Sequence, residues 1–121
     1  MKKVFAFYRG KTNEEVREQK KYCDMYASIQ GWEIEEEFYS SGNMIGLPDK
    51  LFVIREAALN HEFDILLVYE YKNVGRYPEE TSQAINWFKE NSIDVVSVKY
   101  EKRDFRKEAL KIIKDINLSR I

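Results

Sequence analysis

Residues 4–12, Val4-Phe5-Ala6-Phe7-Tyr8-Arg9-Gly10-Lys11-Thr12, decide the fold. Five consecutive apolar residues suit a strand covered on both faces, as in a parallel sheet packed between helices. Thr12 and Glu15 then stand at capping-box spacing, which predicts a helix starting near Asn13. Its inner face would carry Val16, Cys23, Tyr26, Ala27 and Gln30, and Gly31 would end it.

The same strand-then-helix order continues outward from this opening. Trp32 to Tyr39 alternates, with Trp32, Ile34, Glu36 and Phe38 on one side and Glu33, Glu35 and Glu37 on the other. That pattern predicts an edge strand whose glutamates form a solvated face and discourage edge pairing. Pro48 suits the first turn of a helix carrying Leu51, Ile54, Ala58 and Leu59. Ile65 to Tyr69 is the most buried strand, followed by a polar loop from Glu70 to Tyr77. Pro78, with Glu79 and Glu80 behind it, opens a helix whose inner stripe is Ala84, Ile85 and Phe88, with Trp87 beside it. Ile93 to Val98 is the last strand, and Phe105, Ala109, Ile112, Ile113 and Ile116 recur at helical spacing after it.

Four strands alternating with helices over short connections predict a three-layer α/β domain. The sheet is mainly parallel, of four to five strands, with helices on both faces. Residues 1–121 are expected to form a single domain, with no internal repeat or linker and no C-terminal DNA-binding domain. Ligands of such sheets bind outside the carboxyl ends of the strands. Those ends are Tyr8 to Thr12, Tyr39 to Leu47, Glu70 to Arg76 and Lys99 to Arg103.

Hydrophobic residues at 44% and charged residues at 34% give a soluble globular balance. The net charge of −1 leaves no whole-protein field toward DNA or anionic membrane, so any polyanion must be met by a local cluster. A single cysteine excludes an internal disulfide. The N-terminal apolar run is too short for a secretory signal, and no run approaches the roughly 20 residues of a membrane helix. The expected compartment is the cytoplasm, with no membrane partner.

Several familiar chemistries fail on the residues. Gly10-Lys11-Thr12 resembles the end of a phosphate-binding P-loop, but that loop needs a glycine where Phe5 stands. A phosphorelay receiver needs carboxylates at the first strand's end, where this chain has Arg9 and Lys11. His61 and Cys23, single and on different elements, make neither a metal site nor a nucleophile–base pair. No metal and no cofactor is expected. Tyr8, Tyr39, Tyr69, Tyr71 and Tyr77 lie near the carboxyl edge, where core or rim packing is the favoured role.

Taken in order, the remaining motifs resemble the N-terminal catalytic domain of the resolvase/invertase family of serine recombinases. The likeness covers nearly the first hundred residues. Phe7-Tyr8-Arg9-Gly10-Lys11-Thr12 matches the family's Y-x-R-x-S-T at the arginine and threonine. Arg17 to Tyr26, containing Gln19, matches its first helix, and Gly31-Trp32-Glu33-Ile34 the turn into its second strand. Ser41-Gly42 followed by Pro48 matches an S-G…R-P segment, and Phe63 to Tyr69 its third conserved strand. Arg76 matches the last arginine of D-R-L-S-R.

The resemblance implies a serine that attacks a DNA phosphodiester, arginines that stabilise the transition state, and an aspartate that assists proton transfer. Arg9 and Arg76 retain the family identity. Lys11 occupies the nucleophile position, Leu47 replaces the arginine before Pro48, and Lys72-Asn73 replaces the D-R pair. The expectation is therefore a resolvase-like domain without strand-cutting chemistry, acting as a binding or regulatory module in DNA recombination. The rival expectations are a recombinase with altered chemistry and a small phosphate-ligand binding or phosphotransfer protein. Arg9, Lys11, Lys72 and Arg76 are the expected phosphate or DNA-backbone contacts, with weak binding. The stripe Phe105, Ala109, Ile112, Ile113 and Ile116 is the expected dimer helix, pairing with a second copy or with an active recombinase.

Overall fold

Strand β1 (Val4–Gly10) is buried along its whole length, and its alternate residues serve two different cores. Phe5 and Phe7 point to one side of the sheet, and Val4, Ala6 and Tyr8 to the other. The structure, a computed structural model, describes residues 2–41 and 49–99. Leu47, Pro48 and the stripe Phe105, Ala109, Ile112, Ile113 and Ile116 lie outside the described residues.

Helix α1 (Asn13–Gln30) starts where the capping pair predicts. The Thr12 hydroxyl accepts the Glu15 N–H at 3.1 Å. Glu15 reaches back one residue further than in a standard box and accepts the Lys11 N–H at 2.7 Å. Gly31, at φ 74°, closes the helix in the left-handed region that glycine adopts without strain. Val16, Cys23 and Ala27 are the buried residues of α1, while the expected Gln30 is exposed because it lies at the last turn.

Strand β2 (Ile34–Ser41), helix α2 (Asp49–Leu59), strand β3 (Ile65–Val68), helix α3 (Pro78–Glu90) and strand β4 (Asp94–Ser97) complete the described elements. All pairings are parallel, in the order β2-β1-β3-β4. One core joins β1 and β3 to α2 and α3 through Leu51, Ile54, Ala84 and Phe88. The other packs α1 on the opposite face, so the layered α/β architecture expected from the sequence is present.

Three local expectations change. The alternation across β2 is broken: Val4 pairs with Ile34, but Phe5 pairs with Glu36, so one extra residue sits in β2. Ile34 and Phe38 therefore pack on opposite cores instead of sharing a face. Second, Leu59 is exposed at the end of α2, and Ala57 takes the buried place beside Ala58. Third, the loop after β3 contains one 3-10 turn, Tyr71–Val74, with Asn73 and Val74 buried. Among the described residues, no helix is long and apolar enough to cross a membrane.

Candidate functional site

The sheet reverses its winding between β1 and β3, since β2 lies on one side of β1 and β3 with β4 on the other. At such a switch point the connections leave the carboxyl edge in opposite directions and open a crevice. A cleft of about 370 Å³ lies there. Arg9, Gly10 and Lys11 come to it from the end of β1, and Glu15, Glu18 and Gln19 from the first turns of α1. Tyr69, Glu70, Lys72 and Asn73 come from the segment after β3.

Gln19 binds these pieces together. Its side-chain oxygen accepts the Arg9 N–H at 3.0 Å and the Asn73 amide at 3.1 Å. Its amide nitrogen donates to the Arg9 carbonyl at 2.7 Å. Arg9 itself is 3% exposed, with one guanidinium nitrogen 3.5 Å from the carbonyls of both Asn73 and Gly75. Burial pulls its pKa below the ordinary value; Glu80 opposes that shift and Arg76 adds to it.

The other cations are met by carboxylates. Lys72, 75% exposed, pairs with Glu70 at 3.2 Å, and Lys99 holds the other Glu70 oxygen at 2.7 Å. Burial alone would raise the Glu70 pKa, but the hydrogen bonds from Lys99 and Lys72 outweigh it and hold it below the usual range. Arg76 does not line the cleft: its Nε lies 3.2 Å from Glu80 and its guanidinium stands over the Tyr77 ring at 5.9 Å. Of the four expected phosphate contacts, three line the cleft together and Arg76 lies near Arg9 outside it. Asn73 is buried in the same network, and Leu47 lies outside the described residues.

The reading of the residues missed Gln19, Glu15 and Glu70 as site components. Glu15, Glu18 and Gln19 stand at i, i+3 and i+4, the spacing that puts side chains on one helix face. That spacing makes the cluster legible in the sequence. A second missed cluster lies on the α1 side of β2. Glu37, expected to be solvated, accepts from the Tyr8 hydroxyl at 2.9 Å, Lys20 at 2.9 Å and the Tyr39 hydroxyl at 3.2 Å.

Cys23 is fully buried in the α1 core, and burial pushes its thiol up to about 12, which leaves it unreactive. His61 is exposed in the turn after α2. Among the described residues no group of three or more metal-ligating side chains gathers.

The family model described as "Resolvase, N terminal domain" matches residues 9–117. The N-terminal catalytic domain of TP901-1 integrase has a similar structure, with a TM-score of 0.73 at 24% identity over 96% of this chain and 94% of that one. A resolvase family site-specific recombinase from Streptococcus pneumoniae gives 0.71 at 14% identity over 100% of both chains. The C-terminal catalytic domain of ISC1926 TnpA, an IS607-like serine recombinase, gives 0.65 at 17% identity over 94% and 82%. At these identities the structural likenesses show the fold. No curated protein matches the chain.

Proposed function

This chain belongs to the resolvase N-terminal domain family, whose model matches residues 9–117, and from that premise we propose that it is a member without strand-cutting chemistry, serving as a binding or regulatory module in DNA recombination. The observation that carries this reading is the corner after β1. Lys11 stands where the resemblance places the attacking serine, and no serine or threonine is among the described residues that line the cleft. A lysine side chain supplies no hydroxyl of the kind this phosphoryl transfer uses as its nucleophile.

The supporting groups are altered as well. Lys72-Asn73 stands at the aspartate–arginine pair, and the Asn73 amide is engaged with Gln19. Removing one preorganised donor of this kind typically costs about 100- to 1,000-fold in rate. Loss of nucleophile, aspartate and two arginines together removes the activity rather than slowing it.

Arg9, Lys11 and Lys72 remain at the cleft and support contact with a phosphate of the DNA backbone. Three carboxylates face the same space, so binding is weak. Duplex affinity should fall by only about three- to fourfold per phosphate neutralised between about 50 and 200 mM salt, with no change in the integrity of the DNA. Tightening or constant binding over that range would count against the reading.

The terminal stripe Phe105, Ala109, Ile112, Ile113 and Ile116 supports pairing with a second copy or with an active recombinase, since an amphipathic stripe needs cover. Light scattering should show a dimer that Ile112→Asp with Ile116→Asp converts to monomer. A wild-type monomer at all concentrations, together with no complex on mixing with a full-length family member, would remove the pairing.

A recombinase with altered chemistry is the second reading, and one residue gives it a definite form. Tyr69 carries the one hydroxyl side chain among the described residues lining the cleft. On that reading Tyr69→Phe would abolish a measurable cutting activity.

A further inference from the structure

We propose that Glu15 is an internal anion that occupies the phosphate-accepting corner of the cleft, so that a phosphate group is taken up only as this carboxylate is neutralised or moved aside. The inference rests on reading the cleft as a phosphate-facing pocket, and it assigns Glu15 the role of limiting that pocket's affinity.

Three observations converge on it. Glu15 lines the cleft with Arg9, Lys11 and Lys72. Its Oε2 already takes the Lys11 main-chain N–H at 2.7 Å, a donor that an incoming oxyanion at this corner would need. Gly10 makes the room for it: a Cβ there would lie 2.8 Å from the Glu15 Cβ and 3.2 Å from Oε2. The side chain of Glu15 thus lies over the glycine, in the space that any other residue would fill. A carboxylate so placed repels an approaching anion and competes with it for the same donor.

The charge of the lining sharpens the consequence. Glu15, Glu18 and Glu70 balance Arg9, Lys11 and Lys72, so the lining carries no net charge to strengthen its hold on a phosphate oxyanion. Neutralising one of these carboxylates leaves the lining with a net positive charge. Glu15 is the one that can be neutralised without loss of its structural bond, because glutamine serves a capping box as glutamate does.

The experiment compares wild type, Glu15→Gln, Glu14→Gln and Lys11→Gln in titrations with inorganic sulfate, inorganic phosphate and a short DNA duplex. Glu14 lies in the same helical turn, is exposed, and does not line the cleft, so it reports the effect of net charge alone. Glu15→Gln should bind roughly three- to tenfold more tightly, Glu14→Gln less than about twofold, and Lys11→Gln more weakly than wild type. Tightening for the duplex but not for free sulfate or phosphate assigns the corner to a phosphodiester; tightening for all three assigns it to the oxyanion generally. If Glu15→Gln matches wild type while Lys11→Gln weakens binding, the role of Glu15 is overturned and the cleft remains a phosphate pocket. If neither substitution changes binding of any of the three, both are overturned.

Discussion

The Asn73 amide donates to the side-chain oxygen of Gln19 at 3.1 Å, joining the turn after β3 to the second turn of α1 across 54 positions of sequence. The same oxygen takes the Arg9 N–H, and the amide nitrogen of Gln19 returns a bond to the Arg9 carbonyl. One side chain therefore fixes the end of β1, where Lys11 follows, relative to the segment that carries Lys72.

Gln19→Ala would leave the Arg9 main chain and the Asn73 amide without these partners. The groups are partly reached by water through the cleft, which puts the cost at about 2 kcal/mol, toward the lower end for several lost bonds. Gln19→Glu should also destabilise, since it sets a carboxylate oxygen against the Arg9 carbonyl. Urea unfolding checks both; an unchanged midpoint for either variant would remove Gln19 from its central place.

The Tyr8–Glu37–Lys20 cluster sets the pH limits of stability. Burial, then the bond to Glu37, raises the pKa of Tyr8; bonds to Asp24 and Glu37 raise that of Lys20. Both contributions are complete below the unfolded values of 10.0 and 10.5 and drain away as pH rises beyond them. Glu37 moves the other way: burial raises its pKa, but the bonds from Lys20 and Tyr8 more than offset this and lower it. Its contribution is complete above the unfolded value of 4.5 and is lost as pH falls through the folded value. Tyr8→Phe should cost about 1.5–3 kcal/mol at neutral pH and flatten the alkaline loss. Denaturant midpoints from about pH 3 to pH 11 test this, and an unchanged alkaline limb in the variant would contradict it.

Gly75 tests the packing behind the site. Its φ of −158° is ordinary extended backbone, but an added Cβ would lie 2.5 Å from the Thr81 nitrogen and 2.7 Å from its Cα. Both are main-chain atoms of α3 and cannot swing away. Gly75→Ala should therefore cost about 1–3 kcal/mol and shift the carbonyl that faces Arg9. A melting temperature equal to that of wild type would show that α3 has slack here.

Much of the fold could be read from local signals. The all-apolar run of β1, the Thr12–Glu15 pair, Gly31 and Pro78 each act within a few residues and stand where expected. The extra residue in β2 could not be read that way, because its cause is the register against β1 and not the pattern of β2 itself. Which glutamate of the Glu33–Glu37 run meets Tyr8 and Lys20 depends on that register. The cleft divides similarly. Lys11, Lys72 and Asn73 stand at motif positions, whereas Gln19, Glu15 and Glu70 act through partners that only the folded chain brings near.

The central claim, that this family member does not cut DNA, is tested most directly by searching for the covalent product. Wild type and Lys11→Ser are incubated with supercoiled plasmids carrying a range of recombination sites, then denatured and separated. Neither protein should remain attached to DNA and no nicked product should accumulate, because serine alone restores neither the aspartate nor the two missing arginines. A robust covalent adduct formed by the wild-type chain would contradict the account.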